Sequence, residues 1–219
     1  MIFSAKPMAR FADRAEAGRN LASLLAARGF DRPVIFALPR GGVPVALPIA
    51  KALGAPLDLL LVRKLGVPWQ PELGFGAIAE GLEEPLLNQE IIAHTGLTDN
   101  LIAPVLAAEK QELARRAVLY LKGRKRLDPK GRNVILVDDG LATGFTARAA
   151  LQALRQRGAA RLILAVPVAA PESIATLKDV ADEIIAVETE DFHGGISGSY
   201  VDFHQISDAE MLGMLGSNS

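Results

Sequence analysis

Five short runs rich in apolar and β-forming residues constrain the fold most. They are Val34 to Leu38, Leu57 to Val62, Val134 to Val137, Leu162 to Val166 and Glu183 to Val187. Most read as continuous apolar segments rather than alternating ones, which is the pattern of strands covered on both faces. Between them lie stretches of helical period. Phe11 to Arg28 places Phe11, Ala15, Leu21, Leu24 and Leu25 on one side and stops at Gly29. Pro44 to Leu53 starts with proline in its first turn, Thr98 to Leu121 is long, and Thr146 to Arg157 ends at Gly158. A helix is also expected near Ser173 to Lys178, and a last one opens with the capping box Ser207 to Glu210. Phe75 to Ala79 and Pro85 to Leu87 suit a hairpin around Glu80-Gly81. Strands alternating with helices predict an α/β fold with a central, mostly parallel sheet flanked by helices.

Composition narrows the function. The 219 residues carry 24 Lys+Arg against 25 Asp+Glu, a net charge of -1 that disfavours a broad polyanion-binding face. There is no cysteine, which removes disulfides, thiolate metal sites and cysteine nucleophiles. His94, His193 and His204 are too scattered for a multi-histidine metal site. The longest apolar stretch, Leu162 to Ala170, is nine residues and contains Pro167, far short of the roughly 20 needed to span a bilayer. The first 18 residues lack the apolar core of a secretion signal, so a cytoplasmic protein with no membrane partner is expected.

Ligands of parallel sheets sit beyond the carboxyl ends of the strands. There, Val134 to Val137 runs into Asp138-Asp139, then Gly140, Leu141, Ala142, Thr143, Gly144, Phe145 and Thr146. A small-residue loop opening a helix offers backbone N–H groups and a positive dipole end to a phosphate. Adjacent acids would repel a bare phosphate but accept hydrogen bonds from sugar hydroxyls and attract Mg²⁺. The combination suits a ribose 5-phosphate. The bland alternative is an ordinary helix cap at Asp139 or Thr143. No Gly-x-Gly-x-x-Gly run is present, and the acids precede the phosphate loop, which excludes a dinucleotide-binding fold.

Val134 to Thr146 resembles the phosphoribosyl pyrophosphate (PRPP) signature of the type I phosphoribosyltransferases. The wider chain resembles a subgroup of small bacterial proteins of that kind through Phe11-Ala12-Asp13-Arg14, Ala37 to Ala46, Arg63-Lys64-Leu65-Gly66 and Gly76 to Glu80. The likeness covers most of residues 10–210. It implies a single domain, with a core of about residues 10–187 and a small C-terminal hood of about 188–219. It also implies a Mg²⁺-dependent transfer of the phosphoribosyl group of PRPP to a small-molecule acceptor, a nucleobase or other nitrogen nucleophile, with pyrophosphate released.

By that resemblance, Asp138 and Asp139 hold the ribose hydroxyls and contact Mg²⁺ directly or through water. Gly140 to Thr146 bind PRPP, with the 5-phosphate on Ala142 to Thr146. Arg40-Gly41-Gly42 form the pyrophosphate loop, with a non-proline cis peptide expected at Arg40-Gly41. Lys64, then Arg63, contact pyrophosphate from the base of a mobile loop, Leu65 to Leu73. A tight turn at Arg40 and two solvated charges at Arg63-Lys64 are the plain alternatives. The subgroup carries tryptophan where Ser199 stands, which weakens a stacking platform for a base. Tyr200, Phe192 or Phe203 can substitute or can equally be packing. His193 and His204 lack an evident carboxylate orienter and read as surface residues. Residues 115–132 hold eight basic residues and one acid, more typical of a solvated connector than of an RNA patch without aromatics. The alternative function is a non-catalytic sensor of PRPP or nucleotides, with RNA as a conceivable partner through that run. Assembly is open, a homodimer being the commonest closed form.

Overall fold

The computed structural model describes residues 10–190 and 195–216. Phe192, His193 and Gly194 of the hood reading lie outside the described residues. Chain order is α1 (Arg14–Ala26), β1 (Val34–Ala37), α2 (Gly42–Leu53), β2 (Leu57–Leu59), β3 (Val62–Val67), β4 (Gln70–Ala79), β5 (Leu86–Leu87), α3 (Gln89–Thr95), α4 (Asp99–Leu121), β6 (Asn133–Val137), α5 (Phe145–Gln156), β7 (Arg161–Ala169), α6 (Pro171–Leu177), β8 (Glu183–Thr189), a 3-10 turn (Ile196–Ser199) and α7 (Asp208–Gly216).

The expected α/β architecture is present. Five parallel strands lie in the order β2-β1-β6-β7-β8. Their apolar side chains feed two cores. One face packs Ile35, Ile135 and Ile163 against α1, α2 and α7, the last through Met211 and Leu215. The other packs Phe36, Leu136 and Leu164 against α5 and α6 through Leu151, Leu154 and Leu177. α1 lies close on α2 because Gly18 has no side chain: a Cβ there would stand 2.4 Å from the carbonyl oxygen of Val45.

The run Leu57 to Val62 is not one strand. Leu60 and Leu61 leave the parallel sheet, and the chain enters a separate antiparallel sheet, β3-β4-β5. An unbroken apolar run gives no mark of the transfer, because Leu59, Leu60 and Leu61 are all buried. The expected irregular loop over Leu65 to Leu73 is likewise a hairpin. Val67 pairs with Gln70 across Pro68-Trp69, with register shifts on both sides of Gly66. Proline fits because Pro68 occupies the turn, where no ladder donor is needed. Gly66 fits because a Cβ would meet the carbonyl oxygen of Pro71 at 2.5 Å. The expected hairpin of β4 with β5 is present, with Gly76 opposite Leu87. Helix α3 was not anticipated, although Asn88 caps it by accepting from the amides of Glu90 and Ile91, and Gly96 ends it in the left-handed region. The Ser207–Glu210 capping box is formed: Ser207 Oγ accepts from Glu210 N at 3.2 Å, and Glu210 accepts from Ser207 N at 3.3 Å.

Candidate active site

The strand order reverses direction between β1 and β6. β2 extends the sheet on one side of this pair, β7 and β8 on the other, so the loops after β1 and β6 diverge around a crevice at the carboxyl edge. The two loops start level, with Ala37 opposite Val137 and the Leu38 amide donating to the Val137 carbonyl at 2.9 Å. Beyond that point, Pro39-Arg40-Gly41-Gly42 lies directly on Asp138-Asp139. A Cβ on Gly41 would sit 2.0 Å from Asp139 Oδ2, and one on Gly42 would sit 2.6 Å from the Val137 carbonyl oxygen. Gly42 is therefore required by contact with backbone, whereas a side chain at Gly41 would have to displace the Asp139 carboxylate. The non-proline cis peptide exists but joins Pro39 to Arg40, one residue before the expected bond.

The loop after β6 is pinned to β7. Leu141 N donates to Val168 O at 2.9 Å, and Ala170 N donates to Leu141 O at 3.0 Å. Ser173 Oγ donates to the Ala142 carbonyl. Gly144, with φ of 74°, turns the chain into α5, and no side chain caps that helix end. No side chain takes the first amides of α5, and the cap reading for Asp139 or Thr143 does not hold. Asp138, Asp139, Gly140, Leu141, Ala142, Thr143, Gly144 and Thr146 line one cavity of about 180 Å³, closed on one side by Ile196. Phe145, the remaining residue of the expected cradle, starts α5 and packs beside Ala149 and Ala153.

The two acids have different surroundings. Asp138 accepts from the Asp139 amide at 2.9 Å. Burial, and then the neighbouring Asp139 charge, push its carboxyl well above the usual range. Asp139 Oδ2 is ion-paired with Arg14 Nε at 2.8 Å, and its carbonyl accepts from the Tyr200 hydroxyl at 2.6 Å. Tyr200 is buried against Phe11 and Phe203, with ring centroids 5.6 and 5.0 Å away. Tyr200 and Phe203 thus pack on each other and on Phe11 and Arg14, with the Tyr200 hydroxyl bonded to Asp139. Ser199, at the position where tryptophan was expected, is buried and donates to Glu190 at 2.9 Å.

The expected cations stand apart from this cavity. Arg40 donates to Asp208 of α7 at 3.0 Å, and Asp208 also accepts from the Tyr120 hydroxyl at 2.6 Å. Arg63 and Lys64 are within β3, not at the end of a parallel strand. They line a different cavity, of about 310 Å³, where Arg63 pairs with Glu109 at 2.6 Å and Lys64 with Glu72 at 3.4 Å. A larger cavity, of about 520 Å³, opens between Lys51 near the end of α2, Leu57 at the start of β2 and Arg124. It lies at the amino ends of the strands and has none of the carboxyl-edge apparatus.

His204 differs from its sequence reading. Its Nδ1 lies 2.9 Å from Asp202 and its Nε2 2.8 Å from Glu210. Both orienters were visible, two residues before and six after, but a turn and a helix start bring them to the ring. Four of the eight basic residues of the run, Arg115, Arg116, Arg126 and Arg132, are engaged internally. Arg126 pairs with Asp58 at 2.8 Å and Glu80 at 2.6 Å, Arg116 with Glu112 at 2.7 Å, and Arg132 donates to the Arg32 carbonyl at 2.9 Å. Among the described residues no helix is long and apolar enough to cross a membrane.

Two curated Mycobacterium tuberculosis proteins, each named "putative phosphoribosyl transferase", are 44% identical to the chain over 209 residues, covering 95% of it and 47% of their own length. The chain thus spans about half the length of these relatives. The crystal structure of the TT1426 protein from Thermus thermophilus superposes with a TM-score of 0.78 at 39% identity, over 94% of this chain and 97% of that one. A uracil phosphoribosyltransferase of Lactobacillus gasseri is 35% identical over 74 residues, 34% of this chain and 35% of its own. The model of the phosphoribosyl transferase domain matches residues 11–204, so the chain belongs to the phosphoribosyl transferase domain family.

Proposed function

We propose that the chain transfers the 5-phosphoribosyl group of PRPP to a small nitrogen nucleophile and releases pyrophosphate. The observation that carries this reading is the seating of the Gly41-Gly42 pair on Asp138-Asp139, beside the uncapped start of α5. One crevice then offers amides to a phosphate, carboxylate to a diol, and a second glycine loop to a second phosphate group.

In this reading the amides from Ala142 to Thr146 and the hydroxyls of Thr143 and Thr146 hold the 5-phosphate. Asp138 accepts hydrogen bonds from the ribose hydroxyls, with Asp139 beside it. Arg40, Gly41 and Gly42 face pyrophosphate, and Arg63 and Lys64 reach it by exchanging Glu109 and Glu72 for phosphate oxygens. The nucleophile attacks the anomeric carbon as the bond to pyrophosphate breaks, so no covalent bond to the enzyme is required. Positioning and charge complementarity do the work.

Among the described residues no group of three or more His, Asp or Glu side chains forms a metal cage. The residues present fit a Mg²⁺ carried mainly by pyrophosphate, with Asp138 and Asp139 as supplementary oxygen donors directly or through water. When bound, Mg²⁺ neutralises charge developing on the leaving group.

The test is pyrophosphate release from PRPP with Mg²⁺ across a panel of nucleobases and amines. Release with one acceptor supports transfer. Tight binding of PRPP without release for any of them supports the sensor reading instead. RNA as that sensor's partner is disfavoured by the internal pairing of Arg116, Arg126 and Arg132.

A further inference from the structure

Arg14 stands where helix electrostatics does not favour a cation, in the first turn of α1 next to its N-cap Asp13. Its side chain is only 9% exposed. Nε donates to Asp139 Oδ2 at 2.8 Å, Nη1 donates to the His204 carbonyl at 3.1 Å, and the guanidinium lies 3.8 Å from the Phe203 ring centroid. The Asp139 carboxylate is itself 16% exposed, wedged between this guanidinium and the Gly41 backbone. Its peptide carbonyl is held by Tyr200. One residue thus joins α1, the glycine loop, the loop after β6 and the segment around Tyr200 to His204. Among the described residues Asp138 makes none of these bonds; its Oδ1 accepts from the next amide, and the Asp139 carboxylate lies beside it.

We propose that Arg14 is a positioning residue that splits the acid pair into two roles. It locks Asp139 as the structural clasp between the pyrophosphate loop and the C-terminal segment. Asp138 is left as the carboxylate that meets the ribosyl hydroxyls. The proposal rests on the phosphoribosyl reading. Lysine is a poor substitute, because a point charge cannot bond Asp139 and His204 while lying flat on Phe203.

The test is a double-mutant cycle, Arg14→Gln against Asp139→Asn, read by calorimetric titration with Mg²⁺·PRPP and separately with inorganic phosphate. Each single change is expected to weaken Mg²⁺·PRPP by about tenfold, and the double variant no further. Inorganic phosphate, held by the amides of α5, should bind all variants alike, which a general loss of structure would not allow. Arg14→Lys should fall between Arg14→Gln and the unmodified protein, and it replaces Arg14→Gln in the cycle if that variant does not fold. Additive losses, or Arg14→Gln binding Mg²⁺·PRPP like the unmodified protein, overturn the proposal. If the unmodified protein binds no Mg²⁺·PRPP, the phosphoribosyl reading falls. The clasp is then judged without ligand, by the same cycle in thermal unfolding with amide exchange over residues 138–144. Coupling between the two sites supports it and additivity rejects it.

Discussion

Gly41 and Asp139 are in contact so close that a methyl group on the glycine would lie 2.0 Å from the carboxylate oxygen. The glycine loop and the acid pair are therefore one packed unit, although 98 positions separate the two residues in sequence. Gly41→Ala should displace the Asp139 carboxylate from Arg14, at a cost of about 1–3 kcal/mol in stability. Chemical denaturation measures the cost. Calorimetry should show a parallel loss of Mg²⁺·PRPP affinity.

Arg40 is held by Asp208 through Nη1, so a pyrophosphate on the glycine loop would compete with Asp208 for this guanidinium. Asp208→Asn removes that competition but takes a charged acceptor from Tyr120, which is almost fully buried. The expected result is tighter binding of Mg²⁺·PRPP together with a lower melting temperature. Unchanged affinity would separate Arg40 from the pyrophosphate.

Asp58 is 1% exposed and accepts from Arg126 at 2.8 Å, Leu127 N at 3.0 Å and Leu59 N at 2.8 Å. It ties the segment after α4 to β2. Asp58→Ala leaves half-buried Arg126 with Glu80 alone and the Leu59 and Leu127 amides without their acceptor, and about 1–3 kcal/mol of stability should be lost. Urea unfolding with an unchanged m-value would measure it.

His204 lies between Glu210 and Asp202, which raise its pKa above 6.5 in that order of effect. A raised histidine contributes stability that is complete below the unfolded pKa and lost as pH rises through the folded one. The two carboxylates are lowered by the same contacts, so their share disappears as pH falls through their folded values. The melting temperature of the unmodified protein should therefore exceed that of His204→Gln most between pH of about 4.5 and 6.5, and the two should converge at higher pH. Because the groups are exposed, added salt should shrink the difference. A pH-independent difference would contradict the ion-pair assignment.

Much of this was legible in one dimension. β1, β6 and β7 are apolar because they are covered on both faces, and that needs no tertiary knowledge to read. The loop after β6 was legible because acids, small residues and a helix start occur in immediate succession. The transfer of the chain from β2 to β3 was hidden, since Leu59 to Leu61 are buried on either side of it. The Pro68 hairpin was misread because proline marks a turn as readily as an irregular loop. The partner of Asp139 could not be read at all. Arg14 is 125 residues away, and only the packing of α1 against the C-terminal segment brings it there.

Calorimetric titration of Mg²⁺·PRPP into the unmodified protein and Asp138→Asn tests the site most directly. Binding by the former, weakened about tenfold or more in the latter, is the expected result for a carboxylate that holds the ribose hydroxyls. No binding by the unmodified protein, or equal binding by both, would contradict it.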